Sequence, residues 1–201
     1  MSPETKSTLL DPVTPQNAVL LLVDQQEGWF SRIHEPLQMR HQLLALARSA
    51  RLLGVPTVLT TNLAAGPNGP MLQALSELFE GAEVIDRSLI NAWQDPRVHE
   101  AITHTARKQV IIAGTGFDLC AVLPALSAVA EGYAAYVVVD ASGRFDPLPV
   151  PAMTRLAQAG VVLVTTGPLV LEMMADNTHP KANAIYTALF SQPSNQQGEE
   201  Q

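Results

Sequence analysis

From residue 18 onward, short β-branched apolar runs alternate with longer stretches whose apolar residues recur at three-to-four spacing. That is the pattern of a parallel sheet wrapped by helices. The runs predict strands over residues 18–24, 56–61, 83–86, 109–114, 135–140 and 161–165. The helical periods predict helices over 37–53, 71–79, 96–106, 118–132 and 149–159, with a last helix over 176–190. Gly54, Gly132 and Gly160 each close a helical stretch just before a strand, where a left-handed C-cap favours a residue without Cβ. AVLLLVD, QVIIAG and AYVVVD are nearly continuous apolar runs and read as central strands, whereas the third strand is short and polar-flanked and reads as an edge. The predicted fold class is α/β: a three-layer, Rossmann-like, parallel six-stranded sheet in the order 3-2-1-4-5-6 with helices on both faces.

Length and composition sharpen this picture. With 201 residues, 47% apolar and 15% charged, the chain can bury one sizeable core and is too short for two ordinary domains. A single domain over 1–201 is expected, ordered over about 10–191, with a frayed polar tail over 192–201. The net charge of −7, from 19 acidic and 12 basic side chains with no basic run, offers no footprint for nucleic acid or an anionic membrane. Small neutral or weakly charged molecules are the expected partners. One cysteine cannot form an internal disulfide, and MSPETKSTLL has neither a basic start nor an apolar export region, so a cytoplasmic location is expected. The longest apolar runs fall well short of the about 20 residues that cross a bilayer.

In an open parallel sheet the ligand crevice lies beyond the carboxyl ends of the strands, where strand order reverses. Asp24, Cys120 and Asp140 all fall at such ends. A helix N-terminus lowers a thiol pKa and supplies amides for an oxyanion, so Cys120, after the small-residue turn AGTGFDL, is a candidate nucleophile with a thiol expected to react below its ordinary range. A lone cysteine is also often only a small buried hydrophobe. Asp24 could cap a turn, but Gln25, Gln26 and Trp29 make the following loop polar and aromatic, fit for a pocket. Asp140 in VVVDASGRF reads instead as an Asx-type turn. Asn62 in TTNLAAGPNGP and Asn91 and Trp93 in DRSLINAWQDP are further pocket candidates, although Trp93 could equally be core or interface; PNGP at 67–70 is a turn. The five histidines form no ligand-spaced cluster, the partial GxG lacks its third glycine, and GxSxG and a P-loop are missing. No metal and no cofactor are therefore expected.

Taken together, LLLVDQQEGWF, PTVLTTNLAAGPNGP, RSLINAW, VIIAGTGFDLCAVLPALSA and VVVDASGRF resemble the isochorismatase-like cysteine hydrolases, in their YcaC-like branch, over roughly residues 15–190. The resemblance implies a triad in which Asp24 deprotonates Cys120 for attack on a carbonyl-type carbon, with the basic member at Arg87 where the wider family has lysine. A guanidinium can orient Asp24 and stabilise a thiolate but cannot shuttle a proton. It also implies a cis peptide at Gly116–Phe117 that aims the amides of Phe117 and Cys120 into an oxyanion hole, and Phe117 stands where a small polar residue is usual. The implied activity is hydrolysis of a C–N (amide-type) or related bond of a small molecule. The alternative is a catalytically weak member kept as an oligomeric binding or scaffold protein.

The apolar stretches PLVLEMMA and ALFSQ predict a homo-oligomer, which the branch's ring-forming octamers also imply. Residues 167–190 are the expected arm between subunits, with Met173, Met174 and Phe190 buried in the contact.

Overall fold

The computed structural model describes residues 11–191, so the expected tail at 192–201 lies outside them. Six strands, β1 Ala18–Val23, β2 Thr57–Asn62, β3 Val84–Arg87, β4 Gln109–Gly114, β5 Ala134–Val138 and β6 Val162–Val164, form one sheet in the order β3-β2-β1-β4-β5-β6. Every pairing is parallel. The helices are α1 Pro36–Leu53, α2 Gln73–Leu78, α3 Pro96–His104, α4 Val122–Ala130, α5 Val150–Gln158, α6 Thr166–Met174 and α7 Ala182–Phe190.

Successive side chains of a strand point to opposite faces, and here both faces are covered. Leu20 and Leu22 of β1 enter a core with Leu43 and Leu46 of α1 and Val170 of α6. Val19, Leu21 and Val23 enter a second core with Val98 and Ile102 of α3 and Ala125 of α4. Strands β4 and β5 divide in the same way, Ile111 and Tyr136 to the first core and Val110 and Val137 to the second. Burial on both faces is why these strands read as continuous apolar runs, and the polar-flanked β3 is an edge as expected.

Three local expectations are corrected. The chain after β6 forms two helices where one was expected, because Asp140 caps the start of α6: its Oδ1 accepts from both the amide and the hydroxyl of Thr166 at 2.9 Å. Asp140 is thus structural, as its sequence suggests, but through a partner 26 residues away. Next, Met173 and Met174 are only 3% and 4% exposed within the chain's own first core, while Phe190 is 67% exposed. Residues 167–190 therefore fold back over α1, whose apolar stripe needs that cover, and do not stand out as an arm. Lastly, the helix expected from residue 118 is interrupted: Phe117–Ala121 form a π-helical turn, and α4 begins only at Val122. Pro124 has no N–H to give the Cys120 carbonyl and its ring crowds that position, so the ordinary ladder cannot form there.

Candidate active site

Strands β1 and β4 lie side by side across the point where strand order reverses, with Val23 opposite Gly114. The residue after β1 is Asp24, and the π-helical turn after β4 carries Cys120. Asp24 adopts a left-handed conformation, φ 56°, which a non-glycine residue holds at some cost and which turns its carboxylate over the sheet edge. The Cys120 thiol donates to Asp24 Oδ2 at 3.0 Å, and the two residues are 96 positions apart in the chain.

Arg87 ends β3 and reaches past β2 to the same carboxylate. Its Nη2 donates to both Asp24 oxygens at 2.8 Å, with the guanidinium side chain fully buried. Nε donates to Thr60 Oγ1 at 3.1 Å, while Nη1 donates to the carbonyls of Leu89 and Ile90. All five N–H groups are thereby spent on Asp24, Thr60 and two carbonyls. None is directed at the sulfur, so Arg87 is joined to Cys120 by hydrogen bonds only through Asp24, while its charge acts directly to lower the thiol's pKa.

The protonation state follows from burial. Burial pushes the Asp24 carboxyl above the ordinary aspartate range, opposed by Arg87 and by the thiol's hydrogen bond. Burial first, and then the Asp24 carboxylate, push the Cys120 thiol well above its usual value. The resting pair is therefore a thiol donating to a carboxylate, which reverses the expected acidified cysteine. The helix-terminal amides that would have acidified it are engaged elsewhere. Because the folded state keeps a proton that an unfolded thiol loses above its ordinary value of 9.0, Cys120 stabilises the fold below that pH and its contribution fades above it. Above pH 9 the unfolding free energy of the wild type is expected to fall more steeply than that of Cys120→Ala, by at most about 1.4 kcal/mol per pH unit; parallel curves would contradict this protonation state.

The two amides expected to form an oxyanion hole are also engaged. Phe117 N–H donates to Gly143 O at 2.8 Å and Cys120 N–H to Gly116 O at 2.7 Å. No cis peptide occurs among the described residues; the chain turns here instead through Gly116 at φ 86°. The Phe117 ring is buried in the second core with 1% exposed, so its bulk fills core and not pocket. A Cβ on Gly116 would lie 3.3 Å from Cys120 Sγ in a conformation that side chains disfavour. Gly116→Ala is expected to cost about 1–2 kcal/mol and to displace the sulfur, measurable as a lowered denaturation midpoint.

The remaining pocket candidates separate. Gln25 is fully buried and spans Ala113 O and Thr115 Oγ1, which makes it a tie between the ends of β1 and β4. Asn91 caps the turn at Trp93 and donates to Ser127 of α4, and Trp93 donates to Glu131 while packing in the second core, so both dock a loop on α4. Asn62, whose side-chain amide donates to Leu89 O, and Trp29, whose ring meets Phe145 at 5.6 Å, stay at the mouth. Sequence reasoning missed Thr60, which seats Arg87; Gln26, read there only as part of the polar loop after β1, clamps the loop after β2 through Asn62 and Gly69. Phe145 was missed as well. Gln26 lies two residues after Asp24, whereas Thr60 and Phe145 occur in PTVLTTN and VVVDASGRF with nothing in the pattern to mark a role. Among the described residues no three metal-ligating side chains converge, and no helix is long and apolar enough to cross a membrane.

Comparison with known proteins agrees with this architecture. The isochorismatase domain model matches residues 18–167. The chain is 40% identical over 164 residues to the probable hydrolase YcaC of Escherichia coli (strain K12), covering 80% of this chain and 79% of that protein. The crystal structure of the Escherichia coli YcaC gene product, an octameric hydrolase of unknown specificity, superposes with a TM-score of 0.85 at 36% identity, covering 89% of this chain and 91% of that one. YcaC from Pseudomonas aeruginosa, solved with hexane-2,5-diol and covalent acrylamide, superposes with a TM-score of 0.86 at 36% identity, covering 90% and 93%. A strand order built around one switch point, the family model across most of the sheet and these two superpositions together place the chain in the isochorismatase family of hydrolases, within its YcaC-like branch.

Proposed function

We propose that the chain hydrolyses a C–N (amide-type) or related bond of a small molecule through a covalent Cys120 intermediate. The observation that carries this reading is the buried relay Cys120 Sγ to Asp24 to Arg87, at 3.0 and 2.8 Å. As the sulfur attacks the carbonyl carbon, its proton passes to Asp24 Oδ2. The C–N bond then breaks and Asp24 returns the proton to the departing nitrogen. Water attacks the thioester, giving its proton to Asp24 and releasing the acid and the free thiol. Burial supports this role, because a carboxyl raised above the ordinary range accepts a proton more readily. The covalent acrylamide on the Pseudomonas aeruginosa relative supports an electrophile-accessible nucleophile in this branch.

One observation favours a second reading, a binding or scaffold protein with little turnover. The amides of Phe117 and Cys120 are bonded to carbonyls, so the resting site offers no oxyanion donors from those two groups. Turnover would require the nucleophile's turn to release one of them. Screening amides, ureides and esters against the wild type and Cys120→Ser separates the readings: hydrolysis lost by at least about 10³-fold in the variant is expected. Equal activity, or none with any of them together with no acrylamide adduct by intact mass, would sink the hydrolase reading. We also propose a homo-oligomer, which the octameric Escherichia coli relative supports. A mass near the 21.6 kDa of one chain in light scattering would contradict that.

A further inference from the structure

The loop after β5 is fastened to the nucleophile's turn. Gly143 O accepts from the amides of Gly116 and Phe117, Gly143 N–H donates to Gly114 O at 3.1 Å, and Ser142 Oγ accepts from Gly114 N–H at 3.2 Å. This stitching holds Phe145 beside the sulfur: the Cβ position on Gly116 that is 3.3 Å from Cys120 Sγ is 3.8 Å from Phe145 Cε2. Trp29, from the loop after β1, backs the Phe145 ring at 5.6 Å and 55°, and Arg32 lies over the indole at 5.5 Å. Yet Phe145 keeps 46% of its surface exposed, and Leu63, Leu89, Ile90 and Leu119, on the loops after β2, β3 and β4, are 43–64% exposed. An aromatic ring carried by a fastened loop, open to water and near the reactive atom is apolar surface awaiting a partner. The charges beneath it, Asp24 and Arg87, are already paired with each other.

We infer that Phe145, backed by Trp29, is a specificity-determining residue that selects substrates carrying a flat aromatic group within a few bonds of the carbon that Cys120 attacks. The inference rests on Cys120 being the nucleophile. Offset or edge-on ring contact and burial of the group make such substrates about ten-fold or more better than small ones of equal intrinsic reactivity.

The test compares acrylamide with N-benzylacrylamide, each adding across its C=C bond with sulfur to the β-carbon and the thiol proton to the α-carbon. Cys120 labelling rates are followed by intact mass and normalised to each probe's rate with glutathione. The wild type should favour N-benzylacrylamide by about ten-fold or more, Phe145→Tyr should keep that preference, and Phe145→Ala should reduce it to about two-fold or less, chiefly through a slower N-benzylacrylamide rate. An unchanged preference in Phe145→Ala, or an equal fall in both rates, overturns the inference while leaving Cys120 as the nucleophile. Failure of both probes to label the wild type removes the nucleophile reading, and the inference with it.

Discussion

Replacing Asp24 by asparagine is expected to lower hydrolysis at neutral pH by about 10²–10⁴-fold, and to destabilise the fold as well, since the buried Arg87 guanidinium keeps a hydrogen-bond acceptor but loses its counter-ion. The substitution isolates the proton-accepting role. Asparagine tolerates the left-handed backbone that Asp24 holds at φ 56° better than most residues do, and its Oδ1 can still accept from Arg87. What it lacks is a site for the Cys120 proton, so the thiol that burial keeps protonated has no base beside it. The pH profile gives the sharper check. Because burial raises Asp24 above the ordinary aspartate range, wild-type activity should fall on acidification at a pH above that of an exposed aspartate. The residual activity of the variant should lack this acid limb. A variant that turns over at the wild-type rate, or keeps the limb, would remove Asp24 as the base.

Much of this arrangement is legible in the sequence because it rests on periodicity and strand ends. Three strands buried on both faces announce themselves as apolar runs, a switch point follows from the order of the elements, and the residues just beyond β1 and β4 are then obliged to meet. Arg87 is found only through the family resemblance, since an arginine ending an edge strand looks like a solvated charge. The structure makes it the most fully bonded side chain of the site. The misreadings share one cause, which is dependence on where a backbone amide finds its acceptor. Pro124 breaks the ladder and turns the expected helix start into a π-helical turn, and the Cys120 and Phe117 amides expected to serve the thiolate bond to Gly116 and Gly143. Asn91 and Trp93 look like pocket residues by composition, yet Ser127 on α4 and Glu131 at its C-terminal cap claim both side chains. Long-range hydrogen bonds of this kind leave no periodic trace.

Arg87→Ala is expected to destabilise the protein by about 3–5 kcal/mol, a loss comparable to much of the stability of an ordinary domain. Removing the guanidinium leaves the Asp24 carboxylate buried without its counter-ion and strips donors from Thr60 Oγ1 and the carbonyls of Leu89 and Ile90. A buried charge pair need not stabilise a fold relative to apolar residues, but breaking one partner away exposes the full desolvation cost of the other. Arg87→Lys should fall between, at about 1–3 kcal/mol, since an ammonium can pair with Asp24 but has three donors where the pocket takes five. Activity should separate the two variants in another way. Lysine keeps a positive charge beside Asp24 and should retain measurable turnover, whereas in the alanine variant Asp24 becomes protonated at higher pH and ceases to be a base. Chemical denaturation gives the stability order and the acid limb of the pH profile gives the shift, which should move upward from wild type to Arg87→Ala. Wild-type stability and an unmoved acid limb in Arg87→Ala would show that the guanidinium neither supports the fold nor holds Asp24 ionised.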